Sequence, residues 1–160
     1  MKEPLSRLGK RIITELDEIE RSLERALDGW TRFQQSSDDL YLDSTALNLH
    51  SVYNGIEKLF DMIATTVDTN RPQGSEWHQA LLQQMAIEIP GIRPAVISEI
   101  SCDGLDKYRK FRHVVRHIYA FHFDAAQLQQ LVEAAPYLLA EVKAELIAFA
   151  DFLQSQSLPN

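Results

Sequence analysis

Arg112 and His117 stand with four residues between them, and Tyr119 follows two places later, giving Arg-x4-His-x-Tyr. The surrounding segment 107–123 also carries Lys107, Arg109, Lys110, Arg116, His113 and His122, and it contains no carboxylate. In a chain of net charge −7 this is a local cationic island. A guanidinium stays protonated, and its planar fork matches two oxygens of a phosphate. An imidazole titrates near neutrality and can take or give a proton. The segment therefore suits an anionic ligand whose chemistry needs proton transfer, and phosphodiester cleavage fits that description.

Other readings of the same residues have weight. Taken alone, basic residues on one helix face are most often only a solvated surface. His113 and His117 at i, i+4, with His122 five further on, could suggest a metal pair. The His-x3-His pattern lacks the glutamate of a metalloprotease helix, and Arg112 and Arg116 would repel a divalent cation, so no metal is expected. Asp61, Glu99 and Asp103 could form a carboxylate cluster, but no repeated Glu-x-x-His supports a di-metal bundle. Trp30 and Trp77 read as core. No glycine-rich phosphate loop, nucleophile elbow or Cys–His pair is present, and no cofactor is expected.

The elements that must position this segment are helical. The 160 residues are most simply one domain, 1–160, with 45% hydrophobic and 24% charged content, as in an ordinary globular protein. A single cysteine, Cys102, excludes an internal disulfide and points to a reducing compartment. The first residues lack an apolar run suited to a signal peptide, and no run approaches the roughly 18 apolar residues of a membrane span. The expected location is cytoplasmic. A pI near 5.2 argues against broad coating of nucleic acid, so any such contact must be confined to the basic island.

Apolar residues recur at helical spacing almost throughout, and no strand, internal repeat or low-complexity tract is evident. Leu5, Leu8, Ile12, Leu16, Ile19, Leu23, Leu27 and Trp30 predict a long amphipathic helix over about 5–34. Leu42, Leu49, Val52, Ile56, Leu59, Ile63 and Val67 predict a second over about 40–67. After a loop at 68–74, Ser75 is expected to cap a short helix ended by Pro90-Gly91. A fourth helical region starts near Pro94, with a possible interruption at 102–104, and runs through the basic segment. A capping box, Asp124-x-x-Gln127, implies a break between Phe121 and Asp124 and a fifth helix to about Phe152, kinked or split at Pro136. The expected fold is an all-α antiparallel bundle of about five helices.

On a helix from Phe111, residues Phe111, Val114, Val115 and Ile118 form the buried stripe. At about 100° per residue, Arg112 and His117 fall on opposite sides of that stripe, roughly 140° apart. One straight helix cannot easily bring both onto one phosphate. A bend near His117 would help, and so would a two-fold axis that lets two chains share one cleft. Tyr119, seven residues after Arg112, should return to the arginine's side.

With Arg112, His117 and Tyr119 set in a helical bundle and followed by a capped helix from Asp124, the chain resembles the HEPN superfamily. Within it the chain looks like the HepT-type toxins of HEPN/MNT toxin–antitoxin pairs. The family pattern has a polar residue, commonly Asn, after the arginine; His113 stands there, a mild departure. The resemblance implies a metal-independent endoribonuclease acting as a homodimer, the toxin of a type VII-like pair. It implies phosphate stabilisation by Arg112 and acid–base work by His117, with His113 and Arg116 assisting and Lys107, Arg109 and Lys110 steering the RNA backbone. It also implies a partner, a minimal nucleotidyltransferase antitoxin that transfers AMP from ATP to Tyr119. The alternative is a non-catalytic HEPN-like module that binds nucleotides or other proteins. The pairing of Arg112 with His117 favours the enzyme, since a scaffold needs neither.

Overall fold

The computed structural model of the chain describes residues 2–119 and 122–159. Five helices account for most of it: α1 (Lys2–Ser36), α2 (Leu40–Ile63), α3 (Trp77–Met85), α4 (Glu99–His117) and α5 (Ala125–Ser157). Among the described residues the only extended pairing is an isolated bridge between Ile89 and Arg93. The all-α expectation therefore holds. The two longest helices reach a little further than the apolar periodicity indicates, because their polar ends continue the same backbone ladder.

The helices α1, α2, α4 and α5 form an up-down-up-down bundle in which α2 and α5 each pack against all three of the others. Glycines let α1 approach its neighbours closely. A Cβ on Gly29 would meet Thr45 Oγ1 of α2 at 2.9 Å, and one on Gly9 would meet the Gln154 side chain of α5 at 2.8 Å. The apolar stripe of α1, including Ile12, Leu16 and Ile19, is buried against Leu49, Ile56 and Phe60 of α2 and Leu146 and Leu153 of α5 in one core. Lys143–Glu20 and Gln154–Ser6 close the α1/α5 seam at its rim.

Three local expectations need correction. The short helix begins at Trp77 with Glu76 before it, and Ser75 makes no cap; it ends at Met85, ahead of Pro90-Gly91. The fourth helix starts later than Pro94, at Glu99, where the Ser98 hydroxyl accepts the Ser101 N–H at 3.1 Å. It then runs through 102–104 unbroken. Gly104 there is a packing device, since a Cβ would lie 2.7 Å from Leu138 Cδ1 of α5. Likewise α5 is not split at Pro136; it runs as one helix and continues to Ser157, beyond Phe152. Its start is as expected, with the Asp124 carboxylate accepting the Ala126 N–H at 2.9 Å.

A π-helical turn, Ala64–Asp68, ends α2, and Thr69 leaves it in the left-handed region at φ 50°. Asp68 is buried there and receives the Arg93 guanidinium at 2.5 and 2.8 Å. Arg93 also donates to the carbonyls of Gln84, Ile87 and Pro94. Both side chains are wholly buried, and Gln84 adds a bond to Asp68. This buried, fully bonded pair closes the excursion between α2 and α4 on itself, on both sides of α3.

Candidate functional site

Helix α4 carries the basic segment along α2, with the two running antiparallel. Phe111 is its buried anchor, 1% exposed, and Val114 and Val115 are partly buried against the core. Ile118 is not the fourth member of that stripe. The helix ends at His117, Ile118 turns extended at φ −125°, ψ 160°, and its side chain is 37% exposed. The break thus comes before the Phe121–Asp124 interval expected from the capping box. Phe121 itself lies outside the described residues. Tyr119 lies beyond the helix, so the angular argument that set it beside Arg112 does not apply. It is strongly exposed, at 73%.

Arg112 points inward, toward α2 and α3. Its Nε donates to Asn54 Oδ1 at 3.3 Å, and NH1 lies 3.4 Å from His78 Nε2. His78 in turn meets Glu57 Oε2 through Nδ1 at 2.8 Å. On the other side, Asn54 Nδ2 meets His50 Nε2 at 2.9 Å. A continuous polar chain therefore runs Glu57–His78–Arg112–Asn54–His50. A guanidinium only donates, so His78 accepts on Nε2, which places its proton on Nδ1 facing the Glu57 carboxylate. By the same logic His50 accepts on Nε2 and keeps its proton on Nδ1, a buried atom with no hydrogen-bond partner among the described residues.

The electrostatics follow from this packing. Burial pushes His50 below the usual histidine range, and the positive charges of Arg112 and Arg116 push it further. That coupling also places Arg116, one turn after Arg112, beside the α2 residue one turn before Asn54. Tyr53, buried next to the row, has its phenol pushed far up by burial and by the charge of Glu57. The thiol of Cys102 is raised by burial and by Asp103, Asp106 and Glu99, so it is no activated nucleophile.

The remaining basic residues divide. His113 and His117 are exposed one turn apart on α4, their rings 4.1 Å between centroids. Among the described residues Arg112 makes no hydrogen bond to His117, in keeping with the angular split between them. Arg109 and Lys110 both bind Asp106, at 2.6 and 3.3 Å, a carboxylate one residue before the basic segment. Lys107 is exposed. No group of three or more candidate metal ligands occurs among the described residues. Trp30 is core as expected, but Trp77 is only partly buried. It stacks on His78 with centroids 3.6 Å apart, and Arg71 lies 5.8 Å from its ring.

His50, Asn54, Glu57 and His78 escaped the sequence reading. Three of them had a signal: polar residues at 50, 54 and 57 step by four and three along α2, beside its apolar stripe. His78 had none, because its place depends on how the 64–98 excursion folds back.

A family model described as HepT-like protein matches residues 44–153, a span that holds the whole polar chain and all of α4. Comparison with curated proteins and with solved structures gives no match.

Proposed function

The chain belongs to the HepT-like protein family, and from that premise we propose that it is a metal-independent endoribonuclease of a toxin–antitoxin pair. The observation that carries this reading is the state of Arg112. Arg93 and Arg109, the other well-covered arginines, are neutralised by aspartates. Arg112 is held by two neutral acceptors, Asn54 and His78, and forms no carboxylate pair among the described residues. It is an oriented cation whose charge is still available to a phosphate.

In this reading the Arg112 fork takes the non-bridging phosphate oxygens as charge builds in the transition state. His117, at the exposed tip of α4, gives a proton to the 5′-oxygen leaving group. Arg112 faces α2 and α3 while His117 stands at the helix end, so the pair is best completed across a two-fold axis, with each cleft taking residues from two copies. Leu40 and Leu47 on α2 are 69% and 59% exposed, and Ile118 and Tyr119 at the α4 tip are exposed too. The antiparallel register that sets Arg112 against Asn54 carries Leu47 toward that tip. An apolar margin of this kind suits self-association. His113 and Arg116 assist at the tip, and Lys107 contacts the RNA backbone. Arg109 and Lys110 play a smaller part in steering because Asp106 already holds them. A nucleotidyltransferase partner would silence the site by transferring AMP to Tyr119.

The test is cleavage of RNA by purified protein in EDTA. Wild type should cleave, and Arg112→Ala and His117→Ala should each lose on the order of 100-fold or more while their circular dichroism is unchanged. Equal cleavage by all three proteins would assign the activity to a contaminant and remove the ribonuclease reading.

A further inference from the structure

We propose that His78, oriented by Glu57, is the general base that activates the ribose 2′-hydroxyl at the Arg112 site. This rests on the ribonuclease reading above and adds to it a residue from outside the α4 segment. Three observations support it. First, Glu57 is buried and grips His78 Nδ1 at 2.8 Å, which fixes the ring's tautomer and turns the basic Nε2 outward. Second, that Nε2 lies 3.4 Å from Arg112, a well-covered arginine that forms no carboxylate pair among the described residues, through a long bond that a bound phosphate would readily replace. Third, Trp77 stacks on the ring and restricts its rotation, while the His78 side chain keeps 22% of its surface open to solvent. A base held by a carboxylate beside an anion-binding guanidinium is the arrangement that proton abstraction next to a phosphate requires. Among the described residues no carboxylate orients His117 in this way; its close neighbour is the His113 ring.

When RNA binds, Arg112 moves its NH1 from His78 to a phosphate oxygen, and Nε2 becomes available to the adjacent 2′-hydroxyl. The O2′–H bond breaks, its proton passes to Nε2, and the oxygen's electron pair forms the bond to phosphorus. The P–O5′ bond breaks, and O5′ keeps that pair and takes a proton from His117. The products are a 2′,3′-cyclic phosphate and a 5′-hydroxyl, with His78 protonated against the Glu57 carboxylate and His117 neutral. Division of the work between two histidines also gives His117 a single duty as the acid.

The experiment uses two oligoribonucleotides of one sequence cut by the wild-type protein, one with its natural linkage and one with sulfur in place of O5′ at the cut. The sulfur leaves without an acid. Asparagine at 78 can still donate to Glu57 but has no base at the Nε2 position, so His78→Asn should fold as wild type. It is expected to lose at least about 100-fold on both substrates, whereas His117→Ala should lose activity on the natural linkage and regain it on the sulfur one. Added imidazole should raise cleavage by His78→Ala and leave Arg112→Ala unchanged. Recovery of His78→Asn on the sulfur linkage would make His78 the acid and overturn the assignment. Near wild-type activity of His78→Asn would do the same, as would a folded His78→Ala that imidazole does not rescue, which would reduce the ring to a support for Arg112. If wild type cleaves no RNA at all, the ribonuclease reading itself falls and this inference falls with it.

Discussion

At the scale of single residues, the site is defined by which charges are answered and which are not. His50 shows this directly. Its folded-state pKa is depressed, first by burial and then by Arg112 and Arg116. The unfolded chain therefore binds a proton more readily, and stability contributed by neutral His50 is complete above its unfolded value, near 6.5. It is lost as pH falls from there through the folded value. NMR titration should find His50 below the ordinary histidine range, and Arg112→Ala should move it upward; an unmoved midpoint would mean that the arginine is not where the geometry puts it. Tyr119 offers a second prediction at this scale. The ring is exposed beyond the end of α4, and replacement by phenylalanine removes only the oxygen. Tyr119→Phe should keep ribonuclease activity and gain no AMP by intact-mass measurement when nucleotidyltransferase and ATP are supplied. Full neutralisation of that variant by the partner would show control by occlusion instead.

At the scale of elements, the sequence was most legible where one helix face faces the core. The stripe from Leu8 to Trp30 and the Asp124 cap sufficed for α1 and the start of α5. The end of α4 was not legible, because Ile118 and Tyr119 continue an acceptable helical pattern with no glycine or proline to stop it. Pro136 does not split α5, which is held along its length by α1 and α4, so tertiary packing outweighs the one missing backbone bond. As for the site, Arg112, His117 and Tyr119 announce themselves by type and spacing, whereas His78 joins Arg112 through the way the 64–98 excursion, closed on itself by Asp68 and Arg93, packs α3 against α2. That dependence is testable. Asp68→Ala leaves Arg93 buried and unpaired, and should cost about 3–5 kcal/mol of stability, read as a large drop in unfolding midpoint.

At the scale of the whole molecule, the expectation is a two-fold dimer with the α4 tips at the shared cleft. Sedimentation at micromolar concentration should report a dimer, and Leu47→Asp, which buries a charge at the exposed apolar margin, should shift it toward monomer and lower RNA cleavage. A wild-type monomer that cleaves RNA fully would remove the need for a second copy. Electrostatics at this scale are set by an acidic body bearing one small cationic region. Asp106 narrows that region further by holding Arg109 and Lys110. Of the five Lys and Arg residues in 107–123, Lys107, Arg112 and Arg116 are left to displace counterions from a polynucleotide. At about 0.7 ions per phosphate contacted on a single strand, the logarithm of RNA affinity should fall with log salt at a slope near −2 per site, against about −3.5 if all five took part. Asp106→Asn should steepen the line toward the latter value. A doubling of salt would then weaken RNA binding by the wild-type protein about fourfold, against about elevenfold if all five cations took part.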